Sequence, residues 1–155
     1  MEQKTKIHAE DGKHDLEITR EFDLPLELLF KAYVEPEIVE QWMTSKVVKL
    51  ESKKNGAYQL EKKDDKGNIV FQANGVIHEF IPNQKIIRTF EMTNTPYGVQ
   101  LEVYEFERLT DDTSKLHMHV IYETVAQRDQ VLQLPFAQGL NWAHNRMEEV
   151  VSKLK

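Results

Sequence analysis

The chain has 155 residues with no cysteine, so disulfides, a thiol nucleophile, thiolate zinc sites and iron–sulfur clusters are excluded together, and a reducing, cytoplasmic location is expected. Hydrophobic residues at 40% and charged residues at 30% describe a globular protein with no apolar run near the ~18 residues of a spanning helix, so no membrane insertion is expected. A formal net charge of −6 disfavours nucleic acid and anionic lipid as main partners. At this length one domain over 1–155 is expected, with residues 1–14 as an N-terminal hairpin arm. The opening Met1-Glu2-Gln3-Lys4-Thr5-Lys6 has neither the apolar run nor the small-residue cleavage site of a signal peptide, and none is expected.

Lys6 to Glu10 and Asp15 to Phe22 flank Asp11-Gly12, a dipeptide suited to a tight hairpin turn. Leu16, Ile18 and Phe22 alternate with charged residues, as in a strand with one buried face. Pro25 then opens a helix in which Leu26, Leu29, Phe30 and Tyr33 recur at helical spacing until Pro36 interrupts, and a short second helix runs from Pro36 to Trp42 or Met43. From Val47 to Tyr122 the period becomes two, in segments near 46–52, 57–64, 68–81, 85–93, 98–108 and 114–123 separated by turn residues such as Asn55-Gly56 and Pro82-Asn83. Short turns between successive strands predict an antiparallel meander of six or seven strands.

The chain then returns to helical period, predicting one long helix over about 128–153 with Phe136, Leu140, Ala143, Met147, Val150 or Val151 and Leu154 on one stripe. Such a helix has only the sheet to bury its stripe against, which makes the fold class α+β. A curved sheet and a straight helix cannot touch along their whole length, so a gap is expected unless bulky residues fill it. The facing set is Trp42, Phe71, Phe90, Met92, Tyr104, Met118, Phe136, Leu140, Ala143 and Met147. These residues either close a filled core or line an apolar cavity, and the flexible methionine thioethers suit a pocket that adapts to varied ligands.

Chemistry-bearing residues are sparse. His117 and His119 share a strand face, but Leu116, Met118, Val120 and Tyr122 form the apolar alternate set, which turns both histidines outward, and no metal site is expected. His144 lies one step off the helix stripe, near the cavity rim, as a candidate acid or base without a visible partner. Arg88 and Glu105 would interrupt inward faces. A bulge that turns them outward is the simpler reading, and an inward charge would have to be paired or contact a polar ligand group. Nucleophile elbow, phosphate loop, paired-carboxylate signature and dinucleotide fingerprint are absent from the sequence, and no cofactor or catalytic residue is expected.

The stretch from Ile18 through Arg20-Glu21-Phe22-Asp23-Leu24-Pro25 to Tyr33, followed by Pro36-Glu37 and Gln41-Trp42, resembles the opening signature of the START-like (SRPBCC) superfamily. Within it, the chain is most similar to the bacterial branch homologous to the activator of the heat-shock protein 90 ATPase. Gly56 with Tyr58, Gly75, Glu79 to Pro82 with Ile86 to Phe90, Thr113 with Leu116, and Gly139 with Met147-Glu148-Glu149 extend the resemblance over nearly the whole chain. Two departures touch cavity-lining positions. Leu140 stands where the family often has Trp, with Trp142 two places on, and Met43 stands where many relatives carry a second Trp.

The resemblance implies a helix-grip fold (START-like, Bet v 1-like) with a mostly apolar cavity between the sheet and the C-terminal helix. Three function classes follow. The first is a small protein that binds or senses a hydrophobic or aromatic small molecule without catalysis. The second is a chaperone-associated interaction module, and the third a cyclase- or hydrolase-type enzyme, for which no catalytic constellation is visible.

Overall fold

The computed structural model describes residues 3–155, so the first two residues of the opening segment lie outside the described residues. Two strands, β1 (Lys6–His8) and β2 (Asp15–Phe22), are followed by helices α1 (Leu26–Val34) and α2 (Pro36–Met43). Strands β3 (Lys46–Leu50), β4 (Ala57–Lys63), β5 (Ile69–Ile81), β6 (Lys85–Met92), β7 (Val99–Arg108) and β8 (Ser114–Ile121) come next. Helices α3 (Val125–Gln133) and α4 (Phe136–Ser152) close the chain.

All strands belong to one antiparallel sheet in the order β1-β2-β8-β7-β6-β5-β4-β3, so the chain closes its first hairpin onto its last strand. The sheet has eight strands rather than six or seven because three residues of the N-terminal arm pair with β2 as a strand of their own. The sheet curves around α4, and α1 and α2 lie beside α4 on the same face, giving an α+β helix-grip fold.

Local chemistry explains the boundaries. In α1 the spacing of Leu26, Leu29, Phe30 and Tyr33 buries one stripe, and Pro36 forces Glu35 into the extended region, separating α1 from α2. Between β4 and β5 the Asp64 side chain accepts the backbone N–H groups of Lys66 and Asn68, each at 2.9 Å, and Gly67 takes the positive φ of the turn.

The predicted single helix over 128–153 is two helices. Pro135 lacks the N–H that a continuous helix would use and pushes Leu134 to ψ 163°, so α3 ends and α4 starts afresh. Helix α3 begins three residues before the expected start, where the Thr124 side chain accepts the Gln127 N–H as an N-cap at 3.1 Å. Arg128, in its first turns, is buried and donates to the carbonyls of Glu10 (2.7 Å) and Asp15 (3.0 Å), tying the first hairpin to the C-terminal helices.

Candidate functional site

Side-chain alternation carries the site. Register pairs Ile86 with Tyr104, Arg88 with Glu102 and Phe90 with Gln100, and β8 sets Met118 beside Tyr104 and Val120 beside Glu102. These residues project to the concave face of the sheet, toward α4. Between them and the helix lies a cavity of about 250 Å³.

Trp42, Phe90, Met92, Tyr104, Met118, Phe136, Leu140 and Ala143 all contribute to its wall. Phe71 and Met147 do not: Phe71 packs half-buried against the edge of the core, and Met147 is wholly enclosed within it. Tyr33, Val39, Leu60 and Tyr122 are among the further apolar residues of the lining, and Leu134 stands at the α3–α4 break with its side chain exposed. Trp42 is locked by a 2.7 Å hydrogen bond from Nε1 to the Ala32 carbonyl and an edge contact with the Tyr33 ring. A larger groove of about 800 Å³ along β2 carries Lys4, Lys6, Glu21, Lys115 and Glu148, and is an open, mixed-charge surface.

One wall of the cavity is polar. Arg88 does not turn outward. The bulge lies in the facing strand, between Ile77 and Glu79, and β6 keeps its alternation. Arg88 Nε donates to Glu102 Oε1 at 2.9 Å, Arg88 Nη2 donates to the Tyr104 hydroxyl at 2.7 Å, and that hydroxyl donates to Glu102 Oε1 at 2.8 Å. Gln100 Nε2 donates to the other carboxylate oxygen at 2.8 Å. The guanidinium lies between two rings, 4.6 Å from the centre of Tyr58 and 4.9 Å from that of Tyr104.

Tyr58 is positioned by Gly75. A Cβ there would lie 2.0 Å from the Thr89 carbonyl oxygen and 2.7 Å from the Tyr58 ring, whereas glycine lets the Tyr58 hydroxyl donate to that same carbonyl at 2.5 Å. Burial works against the Arg88 charge, but the oxygens of Tyr104, Tyr58 and Glu102 outweigh it and hold the guanidinium protonated. Burial likewise pushes the hydroxyls of Tyr33, Tyr58 and Tyr104 well above the ordinary tyrosine value, so each stays a neutral donor.

Glu105 lies on the other side of the sheet from Arg88, outward as the simpler reading has it but with no bulge in β7 to turn it. It follows Tyr104 in a regular strand, so it points outward and meets His117 at 3.5 Å. His117 also faces Glu17 at 3.5 Å, and His119 contacts Asp15 at 2.7 Å, so both histidines sit half-buried in pairs on the convex face, the side their alternation predicts. Among the described residues no group of three or more His, Asp or Glu is placed to hold a metal ion.

His144 reaches the cavity wall from α4 and is fully buried. Its Nδ1 is 2.8 Å from the Thr5 hydroxyl, whose residue also donates its N–H to Asn141 Oδ1 at 3.0 Å. Arg20 Nη1 donates to the same Thr5 hydroxyl at 3.3 Å, and its Nη2 stands 3.8 Å from Glu148. Burial, aided by the Arg20 charge, pushes His144 down to about 3, so the ring is neutral at ordinary pH and a weak proton acceptor. Its Nε2 and the Tyr33 hydroxyl are buried without hydrogen-bond partners.

The facing set expected from sequence patterns does not assign Glu102, Tyr58, Tyr33 or Arg20 to the cavity or its polar surroundings. Glu102 shares the parity of Tyr104 and Phe106, the aromatic positions of β7, and that alternation alone assigns it inward. Arg20 was hidden because its partners lie up to 128 residues away along the chain.

The fold recurs in solved structures. The chain shares 19% identity with a Rhodobacter sphaeroides protein over 96% of this chain and 99% of that one, at a TM-score of 0.83. A Mycobacterium smegmatis protein gives 18% identity over 94% and 95% of the two chains (TM-score 0.82), and an Arthrobacter aurescens protein 12% over 96% and 91% (TM-score 0.84). At these identities the likeness establishes the fold. No curated protein matches the chain. The family model described as "Activator of Hsp90 ATPase homolog 1-like protein" matches residues 23–152, which takes in both helices before β3, the polar wall and the whole of α4; the chain belongs to that family, within the START-like fold.

Proposed function

We propose that this protein binds or senses a small hydrophobic or aromatic molecule in the cavity between α4 and the sheet, in the cytoplasm and without catalysis. The observation that carries this reading is the 250 Å³ space itself, walled mostly by aromatic and aliphatic side chains where close packing would be the default. A cavity of roughly 150 Å³ admits benzene, so the space suits a ligand of one or two rings. His144 supports a binding role over turnover, because a neutral, weakly basic imidazole is poorly suited to general acid–base work.

The test is a titration of the isotope-labelled protein with aromatic metabolites, flavonoids and lipids, read by NMR. Saturable shifts at Trp42, Phe90 and Leu140 support the reading, and a silent cavity with every class of compound would defeat it.

The family description favours a second reading, in which the chain docks on a heat-shock chaperone and stimulates its ATPase. Adding the protein to a purified Hsp90-type chaperone and measuring ATP hydrolysis distinguishes the two readings, since a ligand-binding protein leaves that rate unchanged.

A further inference from the structure

The polar wall of the cavity narrows the chemistry of what the cavity accepts; this step rests on the binding reading above. Arg88 and Glu102 satisfy one another's charge, so the wall is ionic but adds no net charge to an otherwise apolar space. The pair is not saturated. Among the described residues Arg88 Nη1 makes no hydrogen bond, and Glu102 Oε2 accepts only from Gln100, so this wall of the cavity keeps a free donor and a free acceptor site. The lining also contains the two orphaned polar atoms, the Tyr33 hydroxyl and His144 Nε2. Buried polar atoms without partners are costly, and a purely hydrocarbon guest relieves none of them.

An anionic guest would place a second negative charge against Glu102 in a low-dielectric space, and a cation would do the same against Arg88. A neutral group that both donates and accepts fits: its hydrogen goes to Glu102 Oε2 and its oxygen takes the Arg88 Nη1 hydrogen. We propose that the cavity selects uncharged, ring-sized molecules bearing a hydroxyl or similar amphiprotic group, phenols above all, with that group seated on the Arg88–Glu102 pair and the ring among Phe90, Met118 and Leu140.

The experiment is a calorimetric titration at pH 7 with four probes of one shape: 4-methylphenol, p-xylene, 4-methylbenzoate and 4-methylbenzylammonium. The wild-type protein should bind 4-methylphenol at least tenfold more tightly than each of the others. In Glu102→Gln, where Arg88 loses its counter-charge, the order should invert in favour of 4-methylbenzoate. A phenol preference below tenfold over p-xylene, or benzoate binding as tight as phenol in the wild type, overturns the selectivity while leaving a hydrophobic binding site in place. Failure of all four probes to bind overturns the selectivity and the binding reading with it. The wild-type series decides the matter even where Glu102→Gln does not fold.

Discussion

Arg88 and Glu102 stand directly opposite one another on adjacent strands, joined at 2.9 Å on the concave face of the sheet, with the Tyr104 hydroxyl bridging both. An ion pair in this position is expensive to leave half-made, because the surviving charge keeps its desolvation without its partner. Arg88→Met should therefore destabilise the protein by about 3 kcal/mol in denaturant unfolding, and the double change Arg88→Met with Glu102→Met should restore most of that loss. A single variant as stable as the parent would show that water reaches the pair and screens it.

Gly75→Ala tests the support beneath that pair. The new methyl meets a backbone carbonyl and the Tyr58 ring, and neither can retreat without disturbing β6 or the aromatic face on which Arg88 lies. A loss of about 1–3 kcal/mol is expected from overpacking. Tyr58→Phe, which removes only the hydroxyl, should cost about 1 kcal/mol. Equal effects of the two would mean that the glycine matters only for backbone freedom.

The buried His144 makes stability depend on acid. Its folded value lies near 3 and its unfolded value near 6.5, so below 6.5 the unfolded chain takes up a proton that the native ring refuses. Its contribution is complete above pH 6.5 and declines as pH falls toward 3, at about 1.4 kcal/mol per pH unit for the one proton. Chemical denaturation from pH 7 to pH 4 should show a slope steeper by that amount in the parent than in His144→Gln. Parallel slopes would mean that the ring is solvated in the native state.

Leu140→Trp separates open space from packed core. Leu140 is half-buried and lines the cavity from α4, so an indole there can enter the space. The variant should unfold within about 1 kcal/mol of the parent while losing affinity for aromatic ligands. A loss of several kcal/mol would identify a site already full.

Much of this architecture is legible in residue patterns. The period-two segments fall within a few residues of the observed strands, because each has one buried face and turn residues of defined conformation at its ends: Asn55, Asn83 and Asn94 all adopt positive φ. The cavity-facing aromatic and methionine residues follow from the same alternation.

What was less legible has particular causes. β7 carries Val99, Leu101 and Val103 on its outer face, so apolarity alone does not choose between its faces, and it leaves Glu105 open between an inward charge and an outward turn. Tyr104 resolves the choice, since a regular strand cannot turn both Tyr104 and Glu105 inward. The break at Pro135 is masked because Leu132, Phe136 and Leu140 keep a four-residue spacing across it. The Thr5–Arg20–Asn141–His144 cluster has no local signature at all, because it exists only after the first strand folds against the last helix.

A binding protein and a filled core differ in whether the space under α4 is open and apolar in solution. The direct measurement is the chemical-shift response of the labelled protein to dissolved xenon, a guest that enters dry apolar cavities without needing a polar contact. The structure predicts saturable shifts confined to the cavity wall, at the Trp42 indole and the methyl groups of Met92, Met118 and Leu140. Shifts absent there, or scattered over the surface without saturation, would contradict it and return these residues to an ordinary filled core.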